Sequence, residues 1–359
     1  MTDTPSDAQQ PPVRTEAGQT AANRDNARHA DAPRAGAGKG PGTPKPAKTS
    51  ANGPGQNRQS AQKTSGLGKP TPMPVSGPPF YLHVGVHKTG TTVLQKFLHD
   101  NQVALEQLGL HRLQTGLPQD NAHSWGNHDL AWTLRDQDSN GLWAQAAEEA
   151  APYKAVVASS EEFSATRMPK RYAPVRAAIT RFAIRPICYL RRQDQLLEST
   201  YNYHVKSLGE TKPIMEFAER ILKRLEFDTV LGALARNFGD KALIVRIYDP
   251  EHLKGDIFDD FLDAVGLPGA GDQLVKPQAT LNAGLSGEGL ARMLDANRTY
   301  QDNPDRLKEV RRDILETYAA PTWNEHEILT AAERRALMRQ FRPGNNRVAR
   351  RFFDRPALF

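Results

Sequence analysis

The chain has 359 residues and a formal charge of +6, enough for one large domain or two small ones with a modest excess of base. Ten Lys/Arg against five Asp/Glu fall in residues 1–77, so the remainder is nearly neutral, which argues against a specific nucleic-acid partner for the folded part. A single cysteine, Cys188, excludes an intramolecular disulfide and a cysteine-built zinc cage.

Residues 1–77 contain no Phe, Trp, Tyr or Ile and are rich in Ala, Pro, Gly, Gln, Ser and Thr. Such a segment buries too little apolar surface to offset the entropy of ordering, so it is expected to be a disordered basic tail ahead of one domain over 78–359. It has no continuous apolar stretch of the secretory kind, and no run of the chain is long enough to cross a bilayer; a cytoplasmic protein is expected.

The texture changes at Phe80. Phe80–Val86 reads as a short apolar strand, followed by the small-residue turn His87-Lys88-Thr89-Gly90-Thr91-Thr92 and by helical spacing from Val93 to Leu108. Three further apolar runs, Ala155–Ser160, Ile187–Leu190 and Ala242–Tyr248, each lead into helix-like sequence. Continuous apolar strands alternating with helices predict an α/β fold with a P-loop-like parallel sheet, covered by helices on both faces. The part after Gly284 reads as helical, over Glu288–Asn297, Leu307–Tyr318 and Ala331–Phe353. Ligands of such sheets bind beyond the carboxyl ends of the strands.

Strand, tight loop and helix N-terminus make a phosphate-binding arrangement. Gly85 and Gly90 stand as in a Walker A loop, but Thr91 occupies the position of its lysine, and Lys88 lies three residues earlier, inside the loop. Gly90 permits close approach of backbone to ligand, the threonine hydroxyls can donate, and the helix dipole favours an anion. A second pattern lies at the third apolar run: Tyr189-Leu190-Arg191-Arg192, with Ser199 eight residues after Arg191. A guanidinium fork and a hydroxyl suit a phosphomonoester.

Together these two stretches resemble the family of sulfotransferases that use 3′-phosphoadenosine-5′-phosphosulfate (PAPS). His87-Lys88-Thr89-Gly90-Thr91-Thr92 is similar to the family's 5′-phosphosulfate loop, and Arg191 with Ser199 to its 3′-phosphate pair. The resemblance implies a sulfuryl transfer from PAPS, as donor substrate, to an acceptor hydroxyl of a carbohydrate or glycolipid, with no metal required. It implies donor contacts from Lys88, Thr89, Gly90, Thr91, Thr92, Arg191 and Ser199, with Lys88 also catalytic at the leaving phosphate. Val93 stands where small-molecule sulfotransferases often carry a tryptophan that stacks on adenine.

Two positions are candidates for the base. Ser159-Ser160-Glu161-Glu162 puts a carboxylate at a strand tip, with Glu161 or Glu162 facing the ligand or else capping the next helix. His128 opens an amphipathic helix. His83 and His87 are read as structural or auxiliary. Arg342, beside Pro343-Gly344, either returns a basic group to the 3′-phosphate or marks a helix break. The competing readings are a nucleotide-dependent phosphotransferase with an atypical loop, and a non-catalytic protein acting through its basic tail.

Overall fold

Phe80, Leu82 and Val84 alternate with Tyr81 and His83 along the first strand, and both sets of side chains are buried. A strand packed on both faces belongs in the interior of a parallel sheet. The computed structural model describes residues 76–118, 124–165, 169–277, 284–320 and 328–359, all within one unit, Thr71–Phe359. The expected disordered tail therefore lies outside the described residues, apart from Ser76 and Gly77.

Strands β1 (Pro79–Val84), β2 (His111–Arg112), β3 (Val156–Ser160), β4 (Ala183–Leu190) and β5 (Ile244–Ile247) form a sheet in the order β2-β3-β1-β4-β5. Each neighbouring pair is parallel, with Val84 beside Ser160 and His83 beside both Ser159 and Ile187. A separate antiparallel pair joins β6 (Gly284–Leu285) to β7 (Ala319–Ala320). The helices up to β4 are α1 (Thr91–Asp100), α2 (Gln102–Gln107), α3 (His128–Thr133), α4 (Leu142–Ala150) and α5 (Ala173–Ala178). Beyond it come α6 (Gln193–Leu208), α7 (Ile214–Ile221), α8 (Phe227–Phe238), α9 (Ile257–Ala264), α10 (Gly287–Thr299), α11 (Pro304–Tyr318) and α12 (Ala331–Phe352).

Strand alternation divides the core in two. Tyr81, Val157, Ile187 and Tyr189 meet Leu94 and Phe97 of α1 and Phe258 and Phe261 of α9. Phe80, Leu82, Val84, Cys188 and Leu190 meet the opposite layer, including Trp143 of α4, Leu197 of α6, Leu234 of α8 and Phe341 of α12. Each fully buried Leu, Val or Phe contributes about 1.5–3 kcal/mol, so two such layers hold the central strands firmly. Cys188 is one of these buried residues, and burial pushes its thiol up to about 12.

The chain leaves β1 for α1 and the β2 edge, whereas it leaves β4 toward β5 on the other side. The carboxyl ends of β1 and β4 are thus neighbours with diverging connections, the arrangement that opens a ligand crevice.

The C-terminal helix is pinned to α6. Arg334 of α12 donates to Asp194 and to Glu198, each at 2.9 Å, and Glu198 also accepts from the backbone amides of Ile328 and Leu329. Gln193 and Asn345 exchange amide hydrogen bonds at 2.6 and 3.0 Å in a buried setting.

Several boundaries differ from the sequence expectation. β4 begins at Ala183, four residues before the expected start. Pro186 is accommodated because β5 pairs only from Ile187 onward, so at Pro186 the strand has no neighbour on that side. The expected helix over Val93–Leu108 is two helices that part at Asn101, whose buried side chain bonds both the amide and the carbonyl of Val275. No break occurs at Pro343: α12 runs through it, with Arg342 and Pro343 exposed, where water can satisfy the carbonyl that proline leaves without a donor.

Candidate active site

The loop after β1 is built on two left-handed residues, Lys88 at φ 67° and Gly90 at φ 76°. Lys88 holds a backbone conformation that L-residues avoid by about 1–2 kcal/mol, and Thr89 braces it by donating its hydroxyl to the Val86 carbonyl at 2.6 Å. Glycine is required at position 90 twice over, since a Cβ there would also lie 3.0 Å from the Tyr248 ring. At Gly85 a Cβ would strike the Thr91 side chain.

Helix α1 starts directly from Gly90 with no side-chain cap and no acidic residue in its first turn. Its leading N–H groups and the positive end of its dipole therefore face the loop, as an anion site requires. The Thr91 hydroxyl is buried at the same place with no hydrogen-bond partner among the described residues, a donor suited to a phosphate oxygen.

β4 delivers Arg191 to this loop. The guanidinium donates to the Lys88 carbonyl at 3.0 Å and lies over the Tyr248 ring, 5.9 Å from its centroid. Burial draws it down to about 10, with Tyr248, Glu198, Asp194 and Asp249 acting the other way, so it stays charged at neutral pH. Arg192 turns aside to pair with Asp194 at 2.6 Å. Ser199 is half-buried on α6, and four residues further on, Tyr203 presents its ring to the Lys88 ammonium at 4.9 Å. Burial brings the Lys88 ammonium down to about 8, assisted by the positive charges of Lys206 and Arg191 and opposed by Glu161.

The third component comes from β3. Glu161 stands immediately after the strand, where its carboxylate accepts from Gln95 at 3.0 Å and lies 4.0 Å from His128 Nδ1. His128 Nδ1 is also 2.8 Å from the Ser160 hydroxyl. Burial opposes ionisation of Glu161, but His128, His87, its own amide and Gln95 together hold it below the ordinary carboxylate range. Gly126 permits this packing, because a Cβ there would approach Gln95 to 2.6 Å and His128 to 2.8 Å. Glu162 lies beside Arg135 at 3.2 Å and beside His87, at the start of the loop, at 3.8 Å. His83 is wholly buried, 2.8 Å from Ser159 Oγ, and burial drives its imidazole down to about 4, so it is neutral.

The loop and Arg191 thus meet at the tips of β1 and β4, and Glu161 with His128 at the neighbouring tip of β3, within electrostatic reach of Lys88. Arg342 stays on the solvent face of α12. Sequence reasoning assigned no part to Tyr203, Lys206 or Tyr248. The first two were detectable as the residues four and seven positions after Ser199, on the same helical stripe.

No protein-family profile matches the chain. An uncharacterized protein of Archaeoglobus fulgidus is 30% identical over 169 residues, covering 46% of this chain and 45% of the relative, so the match spans less than half of either. Among solved structures, a sulfotransferase from Alicyclobacillus acidocaldarius is similar at a TM-score of 0.36 and 16% identity, over 69% of this chain and 100% of that one. A sulfotransferase domain from the curacin biosynthetic pathway is similar at a TM-score of 0.31 and 17% identity, over 55% of this chain and 76% of that one. Among the described residues, no helix is long and apolar enough to cross a membrane and no group of three or more His, Cys, Asp or Glu is disposed to hold a metal ion.

Proposed function

We propose that the chain is a sulfotransferase that moves the sulfuryl group of PAPS to an acceptor hydroxyl, of a carbohydrate or glycolipid. The observation that carries this reading is the hydrogen bond from Arg191 to the Lys88 carbonyl. It brings a strand-tip arginine against the loop that leads into α1, which supports a ligand carrying anionic groups at two places. Arg191 and Ser199 hold the 3′-phosphate; the α1 amides, Thr89, Gly90, Thr91, Thr92 and Lys88 hold the phosphosulfate.

In the reaction the acceptor oxygen attacks sulfur, the bond from sulfur to the 5′-phosphate oxygen breaks, and the acceptor proton leaves to a base. Negative charge grows on the departing phosphate, where the Lys88 ammonium is preorganised to meet it. The base is His128, assisted by Glu161. His128 Nδ1 faces Ser160 and the Glu161 carboxylate, and in the proposed mechanism the other ring nitrogen, Nε2, takes the acceptor's proton. Glu161 supports the imidazolium that forms. A phosphotransferase reading lacks a lysine at position 91.

Calorimetric titration with 3′,5′-adenosine bisphosphate and with ATP is the test. Binding of the bisphosphate at least about tenfold tighter than ATP is expected from the charge-assisted 3′-phosphate contacts. Preference for ATP would overturn the reading. A screen of saccharide acceptors with sulfate-labelled donor then identifies the second substrate.

A further inference from the structure

Helix α6 carries Ser199, Tyr203 and Lys206 on one stripe, at the four- and three-residue steps that stack side chains along a helix. All three are half-buried. The 4.9 Å contact between the Lys88 ammonium and the Tyr203 ring fixes the direction of this stripe: it faces the phosphate loop. Lys206 lies one turn beyond Tyr203, on the side away from Arg191, and its charge acts on that of Lys88. Two ammonium groups within electrostatic reach of each other in a half-buried place repel, and an anion held by both is favoured there.

On the PAPS reading, the negative groups of the nucleotide itself are already matched. The 3′-phosphate falls to Arg191 and Ser199, and the 5′-phosphate to the loop and Lys88. Past the 5′-phosphate comes the sulfuryl group, with one negative charge spread over its outer oxygens. We infer that Lys206 is a specificity-determining residue that holds these sulfuryl oxygens, so that the site tells the sulfated donor from its desulfated product. The inference rests on that donor reading. It gives the enzyme a way to let go of spent nucleotide: once sulfur has passed to the acceptor oxygen, the nucleotide that remains has nothing for Lys206 to hold.

The experiment titrates the full-length chain with PAPS and with 3′,5′-adenosine bisphosphate, without acceptor, for the wild type, Lys206→Met and Lys206→Arg. Lys206→Met is expected to weaken PAPS binding by about tenfold or more, the effect of losing a hydrogen bond to a charged group. Bisphosphate binding should change by less than about threefold, since that ligand has no sulfuryl oxygens, and it doubles as the check that the variant is folded. Lys206→Arg, which keeps the charge, should recover much of the PAPS affinity. Equal weakening of both nucleotides overturns the proposal, because Lys206 would then serve a phosphate or the fold. Unchanged binding of both overturns it as well, and assigns Lys206 to the acceptor side. A wild-type protein that binds neither nucleotide overturns the donor reading itself, an outcome separate from any effect of position 206.

Discussion

The Arg191 guanidinium donates to the Lys88 carbonyl across 3.0 Å, and so the residue that would recognise the 3′-phosphate also shapes the loop that would hold the 5′ end. Arg191→Ala is therefore expected to weaken bisphosphate binding by about 2–4 kcal/mol, more than a single neutral hydrogen bond provides. Preference for the bisphosphate over adenosine 5′-monophosphate should disappear in the same variant. Calorimetry with both nucleotides checks this, and a retained preference would remove Arg191 from the 3′-phosphate.

Lys88 is expected to act mainly in the transition state. Lys88→Ala should lower turnover about 10²-fold or more while bisphosphate affinity falls only modestly, and Lys88→Arg should not restore it fully. The free ammonium titrates at about 8 because burial and the neighbouring cations depress it. An anionic ligand raises that value, so binding near and above pH 8 takes up a proton, and affinity declines as pH rises through about 8. Titration in buffers of different ionisation enthalpy measures the uptake; a proton count of zero at pH 8 contradicts the assignment.

Removal of the base should act on turnover alone. His128→Ala is expected to reduce it by roughly 10²–10⁴ with donor affinity unchanged, and Glu161→Gln by a smaller factor with a shifted pH profile. Losses below about tenfold in both variants would move the search to Glu162 and His87.

How much of this site could be read from the chain depends on how far each residue's role is local. The loop from His87 to Thr92 is contiguous, and the interior strands announce themselves because both faces are buried. β2 did not: its residues, His111 and Arg112, are polar, buried by a Glu149 carboxylate and the Trp125 carbonyl far along the chain. Pro186 concealed the first half of β4, and Pro343 suggested a break that the exposed face of α12 does not need. The electrostatic coupling of Lys206 to Lys88 depends on how α6 is docked, and no short pattern in the sequence encodes that docking.

Arg334 holds two buried carboxylates at once, and α12 is expected to depend on it. Arg334→Ala leaves Glu198 without this ion pair and Asp194 with Arg192 alone, at a cost on the order of 3 kcal/mol, toward the lower end for a broken buried pair because Arg334 keeps some contact with solvent. A urea unfolding curve should show the lower midpoint with its slope unchanged. An unaltered midpoint would mean that the pairing is incidental.

The tail is expected to be independent of the domain. Deleting Thr2 to Ser76 should leave the thermal midpoint and bisphosphate affinity nearly as they were, since a segment this poor in aromatic and large aliphatic residues has little to pack with. A drop of several degrees, or a loss of affinity beyond about threefold, would refute that independence.

The partnership between Arg334 and Asp194 spans 140 residues, and Asn345 reaches Gln193 across 152. During synthesis the chain emerges N-terminus first. The loop after β1, Arg191 and Ser199 are therefore all outside the ribosome long before the helix that brings Arg334 to Asp194 and Glu198 exists. Until then α6 carries two carboxylates bound for the interior with Arg334 still unmade, and it has no finished surface to settle on. A chain stopped short of α12 would therefore hold the loop, Arg191 and Ser199 but lack the cation that meets Glu198, and on the proposed reading it is expected to bind 3′,5′-adenosine bisphosphate poorly.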